Sequence, residues 1–406
     1  MPAPAQLRLA YLVSQYPTTN HTFILREVRT LRRLGFDVEV ASVRAPDRPA
    51  SQLTDEEREE FGRCWYVKSA GIPGALAATV RTLFRSPVGW FRGVACAISL
   101  AGLNPATAAR NLAYFVEAVM AGDWMRRRGL THVHTHFSST VVLLLDRVFP
   151  VSISMTLHGS AEFYDPEGFY LTRKIAASRF LIAISRYGSS QMMKSAPYRD
   201  WGKIEVCPLG VDPQVFAPAG FRENPAVFSI VSVGQLAPAK GQPLLVSAMR
   251  KLIDRGRRVR LRLVGDGPMR GEIEELIARL GLDRNVVLEG ALNQDRVRAI
   301  YGEADIYALA SFAEGVPVVL MEAMAMRVAC VASRITGVPE LIREGVDGLL
   351  VAPADEDALV EAIERLMDDA ALRRRLAESG REQVMAHYNL QRNTERLAEI
   401  FRRRLA

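Results

Sequence analysis

Two runs of alternating strands and helices constrain the fold of this chain more than any other feature of its sequence. The first run opens with an apolar strand, LRLAYLVS at 7–14, a helix, HTFILREVRTLRRLG at 21–35, and a second strand, DVEVASV at 37–43. Asn20 is the expected N-cap of this helix, and Gly35 is its expected C-terminal stop. A strand–helix–strand unit of this kind builds a doubly wound parallel sheet.

The alternation restarts in the second half of the chain. The first run ends with KIEVCPLGVD at 203–212, and the second begins with the strand FSIVSVG at 228–234. Residues 213–225 lie between them and contain three prolines and little periodicity, which is typical of a linker. The sequence therefore predicts an α/β protein of two Rossmann-like, doubly wound domains, 1–212 and 226–385.

Composition and charge narrow the function classes. The 406 residues are 49% hydrophobic and 24% charged, an ordinary globular balance, and no apolar run is long enough to predict a spanning helix. The four scattered cysteines favour a reducing cytoplasm over a disulfide framework or a zinc site. The net charge of +7 fits anionic partners. Because the arginines stand singly between apolar residues, we expect no nucleic-acid partner.

The stretch SFAEGVPVVLMEAMA at 311–325 places two carboxylates, Glu314 and Glu322, around an expected strand-to-helix elbow. Pro317 suits the first turn of the helix, where a missing N–H costs nothing. Glu322 lies among apolar residues, so it is expected to be buried and to need a partner such as a diol. The backbone N–H groups of the elbow and the helix N-terminus form a ready site for phosphate. Together these groups indicate a sugar-nucleotide site.

This segment resembles the carboxylate signature of glycosyltransferase family 4, the retaining transferases with the GT-B fold. The resemblance implies that Glu322 holds the nucleotide's ribose and that Glu314 is catalytic, in contact with the donor sugar near its anomeric centre. The other expected nucleotide-sugar contacts in the elbow are Gly315, Val316, Pro317 and Val318. The alternative, from the residues alone, is an ordinary helix whose glutamates reach solvent.

The same resemblance sets the expected architecture. Two domains face a cleft, with the acceptor bound by 1–212 and the nucleotide-sugar by 226–385. The final amphipathic segment, 386–406, is expected to be a helix that packs back on the N-terminal domain.

A second stretch, SVGQLAPAKGQ at 232–242, carries the expected diphosphate contacts. The resembled family has a Gly-Arg pair followed by a Lys-Gly pair, and both basic residues stabilise the departing diphosphate. This chain keeps Lys240, to which we assign a catalytic role, but Gln235 stands where arginine is usual. Gln235 can bind through a hydrogen bond but carries no charge, and charge-assisted bonds are about twice as strong. Further along, Arg327 replaces the glycine that usually ends the helix, which predicts local strain or a shifted helix end.

Histidines occupy or follow two strands of the first run. His158, in SMTLHGSAEF, comes just past a strand, where ligands of open α/β sheets bind. In the resembled family the equivalent His-Gly contacts the donor sugar, which makes His158 a candidate catalytic residue; the alternative is a histidine held by a backbone carbonyl. His132, His134 and His136 alternate on one strand, but they are spaced too widely to close easily on one small ion. We therefore expect no metal and no other cofactor.

The span 61–128 is rich in aromatic residues and arginine. Two interpretations stay open: a basic amphipathic surface that lies on an anionic membrane, and a set of core helices with solvated arginines. The aromatic residues in question are Trp65, Phe84, Trp90, Phe91 and Trp124.

Together these features predict a retaining hexosyltransferase that moves a sugar from a nucleotide-sugar donor to a glycan or lipid-linked acceptor. The opening YLVSQYPTTNHTFILREV resembles the exopolysaccharide and colanic acid branch of the family, which implies a role in surface polysaccharide assembly. The expected location is the cytoplasm or the inner face of the cell membrane.

Two alternatives to the transferase function remain. One is a sugar-nucleotide epimerase on the same fold, for which no suitable acids and bases stand out. The other is a non-catalytic nucleotide-sugar-binding protein, which Gln235 favours.

Overall fold

The computed structural model describes residues 7–18, 21–218 and 220–406. The chain forms two units, which consist of Met1–Cys207 with Thr394–Ala406 and of Pro208–Asn393. The expected helix cap Asn20 and one residue of the expected linker, Ala219, lie outside the described residues.

Within the described residues, the first unit is built on a seven-stranded sheet whose neighbouring strands all run parallel. Its strands are β1 (Arg8–Gln15), β2 (Asp37–Arg44), β3 (Trp65–Tyr66), β4 (His132–His136), β5 (Ser152–Leu157), β6 (Phe180–Ala183) and β7 (Ile204–Val206). The spatial order is β3-β2-β1-β4-β5-β6-β7, so the winding reverses between β1 and β4. Ligands of such sheets bind at this reversal, outside the carboxyl ends of the strands.

The helices of the first unit lie between these strands along the chain. They are α1 (Thr22–Arg33), α2 (Asp55–Arg63), α3 (Gly71–Arg85), α4 (Pro87–Ala101), α5 (Pro105–Arg128), α6 (Ser139–Val148), α7 (Ser160–Tyr164), α8 (Leu171–Ala177) and α9 (Arg186–Lys194). In α1, the side chains of Ile24, Val28 and Leu31 recur at helical spacing and are buried. Gly35 follows with φ of 90°, a conformation that favours glycine after a helix.

The second unit repeats the arrangement with six parallel strands among the residues that the structure describes. They are β8 (Phe228–Val233), β9 (Val259–Val264), β10 (Val286–Gly290), β11 (Ile306–Leu309), β12 (Ala329–Ser333) and β13 (Leu349–Val351). Their order is β10-β9-β8-β11-β12-β13, so the winding reverses between β8 and β11. The two sheets confirm the predicted class, a two-domain α/β protein with Rossmann-like halves.

The remaining helices belong to the second unit, except that the last one also enters the first unit. They are α10 (Gln242–Asp254), α11 (Arg270–Arg279), α12 (Gln294–Gly302), α13 (Val318–Ala325), α14 (Val338–Leu341), α15 (Glu356–Asp368), α16 (Ala370–His387) and α17 (Leu390–Leu405). Arg327 follows α13 with φ of 58°, in the left-handed region that is unfavourable for a side chain of this size. The local strain predicted at Arg327 is therefore confirmed.

The expectation of one continuous helix over 386–406 is wrong, because the chain breaks between α16 and α17. At the break, the Val211 N–H donates to the Tyr388 carbonyl at 2.9 Å, and the Leu390 N–H donates to the Val211 carbonyl at 3.1 Å. A Cβ on Gly210 would lie 2.5 Å from the Leu390 nitrogen, so glycine is needed for this approach. The backbone here pairs with residue 211 instead of continuing the helix, a long-range contact that helical periodicity does not reveal.

The C-terminal part of α17 packs within the first unit. Phe401 is fully buried, and its ring centre lies 5.1 Å from that of His134 and 6.5 Å from that of Tyr11. The binding roles assigned to the two domains stay predictions.

Candidate functional site

The reversal of winding in the second unit places the loops after β8 and β11 side by side. The N–H groups of Phe312 and Ala313 both donate to the Ala239 carbonyl, at 2.8 and 3.2 Å. A Cβ on Gly241 would lie 2.1 Å from the Ala310 carbonyl oxygen, so glycine is needed where the two loops meet. The two segments predicted from the sequence to form the site are thus joined through their backbones.

Lys240 and Glu314 meet across this junction. Lys240 Nζ lies 2.7 Å from Glu314 Oε1, which also accepts a 2.7 Å hydrogen bond from the Ser311 hydroxyl. Glu314 is only 6% exposed, so its carboxylate needs such partners. Charge-assisted bonds are short and strong, and these two fix the ammonium group at the carboxyl end of the sheet. The sequence analysis missed Ser311, although its position at the start of the elbow, three residues before Glu314, could have indicated it.

Glu322 lies on α13 and is nearly buried. The Tyr301 hydroxyl lies 3.3 Å from Glu322 Oε2 and 3.1 Å from the Val319 carbonyl oxygen, and it can donate to either. Burial, and then the neighbouring Glu322, raises the pKa of Tyr301 well above its usual value. Tyr301 therefore keeps its proton and acts as a donor. The predicted burial of Glu322 is confirmed, whereas Tyr301 had no signal in the sequence that tied it to this residue.

The helix that follows the elbow, α13, begins one residue later than predicted, because Pro317 precedes its first turn instead of lying in it. Pro317 has φ of −71° and ψ of 118° and precedes the helix, so that Val318 is the first helical residue. The first turn of any helix leaves its N–H groups without intrahelical partners. The Gly315 carbonyl accepts a 3.2 Å hydrogen bond from Gly337, and a Cβ on Gly337 would lie 2.6 Å from that oxygen. Gly337 thus fixes the path of the elbow, in which Val316 is buried.

Gln235 lies in the loop after β8 with an exposed side chain. Its backbone carbonyl accepts a 2.8 Å hydrogen bond from Gln242 Nε2. The preceding Gly234 is held close to Gly265, where a Cβ would lie 2.0 Å from the Gly234 carbonyl oxygen. The backbone that presents Gln235 is therefore fixed by its neighbours, while the side chain faces solvent.

In the first unit, His158 follows β5 and ends a chain of hydrogen bonds. His158 Nε2 lies 2.8 Å from His136 Nδ1, and His136 Nε2 lies 3.1 Å from Glu27 Oε1. The Tyr11 hydroxyl donates to the same Glu27 oxygen at 2.9 Å. The sequence analysis missed Glu27. Its signal was a carboxylate one turn from Phe23 on the apolar face of α1, where a charged side chain needs partners.

These contacts restrict which nitrogen of each ring can carry a proton. A carboxylate only accepts, so His136 Nε2 donates to Glu27. In the tautomer of His136 that has no proton on Nδ1, this nitrogen accepts a hydrogen bond from the Nε2–H of His158. Burial, and next the neighbouring His136, lowers the pKa of His158 well below its usual value. With this tautomer of His136, neutral His158 has a bare Nδ1 that can accept a hydrogen bond from a substrate hydroxyl.

The other two histidines of β4 bond to hydroxyls of the neighbouring strand β5. His132 Nδ1 and Nε2 lie 2.7 and 2.8 Å from the hydroxyls of Ser152 and Ser154. His134 Nδ1 and Nε2 lie 2.8 and 2.9 Å from those of Ser154 and Thr156. The pairing follows from the parallel register of β4 and β5.

One group of potential metal ligands lies among these residues. Ligand atoms of Glu27, His134 and His136 lie within 4.8 Å of one another. In the described structure, however, the nitrogens of both histidines already take part in hydrogen bonds with protein groups. The arrangement favours a hydrogen-bonded network, and a metal-free protein stays a prediction.

The span 61–128 shows features of both interpretations that the sequence left open. Trp65 and Trp124 stack in parallel at 5.4 Å between ring centres, and Trp90 packs against the core. Phe84 and Phe91, in contrast, are 81% and 63% exposed. The tryptophans therefore belong to the interior, whereas α3 and α4 present apolar side chains outward.

The structure brings together Lys240, Glu314 and the elbow in the second unit, and it places His158 in the first unit. Residues 216–383, which include all the predicted site residues of the second unit, match the protein-family model described as "Glycosyl transferases group 1".

Curated relatives extend the similarity beyond that domain. The chain is 25% identical to an amylovoran biosynthesis glycosyltransferase of Erwinia amylovora, over 98% of this chain and 100% of that protein. It is 24% identical to a putative colanic acid biosynthesis glycosyltransferase of Escherichia coli (strain K12), over 88% and 90%. It is 34% identical to the alpha-D-kanosaminyltransferase of Streptomyces kanamyceticus, but over only 43% of this chain and 45% of that protein.

Solved structures share the fold along nearly the whole chain. The sucrose-phosphate synthase from Thermosynechococcus elongatus aligns with a TM-score of 0.76 and 18% identity, over 98% of this chain and 99% of that chain. The Anabaena protein HepE, solved in complex with UDP-glucose, aligns with a TM-score of 0.72 and 16% identity over the same shares. At these identities the likeness shows the fold alone.

Proposed function

We propose that this chain, whose residues 216–383 match the family model of the group 1 glycosyl transferases, is a retaining hexosyltransferase acting in surface polysaccharide assembly. It moves a sugar from a nucleotide-sugar donor to a glycan or lipid-linked acceptor. The contact between Lys240 and Glu314 carries the proposal, because it fixes a cation at the carboxyl end of a parallel sheet. The names of the colanic acid and amylovoran relatives support the polysaccharide role.

Each predicted site residue has a role in this proposal. Glu322 accepts hydrogen bonds from the ribose hydroxyls. Lys240 and the N–H groups at the start of α13 hold the diphosphate, since a helix N-terminus favours anions. Glu314 fixes Lys240 and contacts the donor sugar. His158, through its bare Nδ1, accepts a hydrogen bond from a sugar hydroxyl.

The reaction needs little beyond positioning and charge. The acceptor hydroxyl attacks the anomeric carbon from the face that the diphosphate leaves, so the configuration is retained. The C–O bond to the diphosphate breaks, and a departing phosphate oxygen takes the proton of the hydroxyl. Lys240 neutralises the charge that develops on the diphosphate, and such preorganised charges are among the largest contributions to catalysis.

The test is transfer from a panel of uridine and guanosine diphosphate sugars to lipid-linked and free glycan acceptors. We expect one donor to be consumed, with retention of the anomeric configuration in the NMR spectrum of the product and no loss of activity in chelator. Glu314→Gln should lower turnover strongly, whereas the exposed control Glu275→Gln should not. Inversion in the product, or recovery of lost activity by a divalent ion, would refute the corresponding part of the proposal.

A non-catalytic nucleotide-sugar-binding protein is the second candidate, and Gln235 favours it. Without the usual arginine, one fewer cation faces the departing diphosphate. This candidate predicts donor binding by calorimetry without donor consumption, even in the presence of acceptors. An epimerase would instead convert the donor to an isomeric donor without any acceptor.

The proposal includes contact of α3 and α4 with an anionic membrane surface. The large apolar residues exposed on these helices are Ile72, Leu76, Val80 and Phe84 on α3 and Val88, Phe91 and Ile98 on α4. On α3 they recur every four residues, so they share one face. No helix in the described part of the chain is both long and apolar enough to cross a membrane.

The charge of this region supports an anionic partner. From residue 64 to residue 116 the sequence has no Asp or Glu, but it has five basic residues. Arg85 and Arg92 are exposed and adjacent in sequence to Phe84 and Phe91. An apolar face flanked by cations is the pattern of helices that lie on anionic lipid.

Cosedimentation with lipid vesicles tests this part of the proposal. The protein should bind phosphatidylcholine vesicles that contain phosphatidylglycerol and bind pure phosphatidylcholine vesicles more weakly. The double variant Phe84→Ser, Phe91→Ser should lose most of this binding. Tyr198→Ser, at another exposed aromatic site of the same unit, is the matched control. If the double variant cosediments as well as the control, α3 and α4 do not form the membrane-binding surface.

A further inference from the structure

A cavity of about 440 Å³ lies in the first unit, at the carboxyl ends of its strands. Ser14 and Arg44 line it at the ends of β1 and β2, and Phe137 and His158 line it just after β4 and β5. It therefore surrounds the reversal of winding between β1 and β4, where sheets of this kind bind ligands. Its volume falls within the range of about 300–1,000 Å³ for small-molecule sites.

Lys174, on α8, is the most unusual residue that lines this cavity. It is only 1% exposed, and its Nζ makes no hydrogen bond within the described structure. Glu162 Oε1 lies 3.5 Å away and forms an ion pair with Lys174 that lacks hydrogen-bond geometry, and the same oxygen accepts a 3.2 Å hydrogen bond from the Ser139 hydroxyl. Burial lowers the pKa of Lys174, and Glu162 opposes that effect. A buried ammonium with three available donors calls for an acceptor group.

The charges around the cavity select the kind of acceptor group. Three cations line it, Arg44, Lys68 and Lys174, against two carboxylates, Glu117 and Glu162. Each lysine has one carboxylate nearby, since Lys68 Nζ lies 3.4 Å from Glu117 and Lys174 Nζ lies 3.5 Å from Glu162. The cavity therefore has an excess of one positive charge, which favours an anionic ligand over a neutral one.

An aromatic wall indicates that the rest of the ligand is a sugar. Phe137 has φ of 63°, an uncommon conformation for a side chain other than glycine, and it is 44% exposed. Its ring stacks on that of His158 with 4.5 Å between centres. Strained backbone of this kind concentrates at ligand sites. On the far side of the cavity, Phe169 covers Lys174, with 5.7 Å from Nζ to the ring centre.

We propose that this cavity binds an acidic acceptor glycan, whose oxyanion bonds to Lys174 Nζ while a sugar ring lies against Phe137. The oxyanion is either the carboxylate of a sugar acid or the phosphate of a glycosyl phosphate. The inference rests on the proposed transferase function and adds to it the class of the acceptor. Glu162 sets the affinity, because its negative charge opposes the incoming anion.

Calorimetry without any donor tests the proposal, with methyl β-D-glucuronide, glucose 1-phosphate and the neutral methyl β-D-glucoside as probes. The wild-type protein should bind one of the two acidic probes at least about fivefold more tightly than the neutral one, and the preferred probe identifies the source of the oxyanion. Lys174→Met should abolish the preference, and Glu162→Gln should increase it. Lys194→Met, at an exposed position on α9, is the control and should leave it unchanged.

Two further measurements distinguish an unfolded variant, a wrong acceptor class and a wrong transferase function from one another. If Lys174→Met unfolds, Lys174→Arg keeps the positive charge and should preserve the preference for the acid. Equal affinity of the wild-type protein for acidic and neutral probes would overturn the proposal, as would a folded Lys174→Met variant that keeps the preference. In a separate assay, the same protein preparations are incubated with the nucleotide-sugar donor but without acceptor, and hydrolysis of the donor is measured. If hydrolysis proceeds while the preference is absent, only the acceptor class is wrong. If no donor is bound or hydrolysed, the transferase function itself fails.

Discussion

His136 Nδ1 lies 2.8 Å from His158 Nε2, and this contact links a strand-end histidine to a buried carboxylate. Because His136 Nε2 also lies 3.1 Å from Glu27 Oε1, a continuous chain of hydrogen bonds runs from Glu27 through His136 to His158. His136 and Glu27 do not need to touch substrate. They position His158 so that its Nδ1, rather than its Nε2, accepts a hydrogen bond.

We expect His158→Ala to lower turnover more than nucleotide affinity, since His158 and the nucleotide contacts belong to different units. His136→Phe removes the partner of His158 and should lower turnover by about 2- to 12-fold, the effect of one neutral hydrogen bond. Steady-state kinetics and calorimetry with the nucleoside diphosphate measure the two effects. The exposed His387→Gln is the control. Near-normal turnover in a folded His158→Ala variant would remove His158 from the site.

The fold could be predicted because its signals are local. The alternation of apolar strands and helices in segments such as LRLAYLVS and FSIVSVG identified both sheets. The elbow at 311–317 and the helix after it were visible from a glycine, a proline and two carboxylates, Glu314 and Glu322. The break at Tyr388 was missed because its cause, a pairing with Val211, is more than 170 residues away in the sequence.

A second prediction concerns Glu322 and Tyr301. Glu322→Ala should weaken nucleotide binding by about 1.5–3 kcal/mol, because it removes charge-assisted bonds to the ribose. Tyr301→Phe removes only one donor, at 3.3 Å from the carboxylate, and should weaken binding by less than Glu322→Ala. Calorimetry with the nucleoside diphosphate measures both changes, and thermal melting confirms that the variants are folded. Unchanged affinity in a folded Glu322→Ala variant would contradict the assignment.

The side-chain network of the first unit shows where sequence reasoning stops. The alternation of His132, His134 and His136 predicted a shared face, which the strand provides. Their hydrogen-bond partners depend on the register of β4 against β5 and on the packing of α1. Neither the register nor the packing can be predicted from the residues around these histidines. Glu27 and Lys174 therefore emerged as members of sites only from the structure.

A third prediction concerns the pH dependence of stability, which follows from the buried histidines His132, His134 and His158. Burial lowers the pKa of His132 to about 3, and it also lowers those of His134 and His158. The unfolded chain, with histidine pKa values of about 6.5, then binds more protons than the folded protein, so stability falls as the pH drops below about 6.5. Each such histidine contributes about 1.4 kcal/mol per pH unit, and for His132 this continues down to about pH 3.

Urea unfolding between pH 4.5 and 6.5 measures this dependence. His132→Asn should bind about one proton fewer on unfolding than the wild-type protein, and its slope should be correspondingly lower. The exposed His387→Gln variant, in contrast, should keep the wild-type slope. Equal slopes in His132→Asn and the wild-type protein would show that His132 titrates normally in the fold.

The last prediction concerns Gln235, where the chain departs from the family that it resembles. In the proposed reaction, Lys240 and the N–H groups at the start of α13 hold the departing diphosphate without a second cation, so Lys240→Ala should be more damaging than the loss of a typical phosphate contact. Gln235 is exposed on a loop whose backbone is fixed, so an arginine fits there without repacking. We expect Gln235→Arg to strengthen nucleoside diphosphate binding by about 1–2 kcal/mol.

Calorimetry compares wild type, both single variants and the double variant, with Gln214→Arg at another exposed position of the same unit as the control for added charge. The double variant should recover part of the affinity lost in Lys240→Ala, because the new guanidinium replaces a missing cation. Turnover need not rise, since a tighter hold on the diphosphate slows product release. If Gln235→Arg binds no more tightly than Gln214→Arg, and Lys240→Ala is also without effect, the loop after β8 does not reach the phosphates.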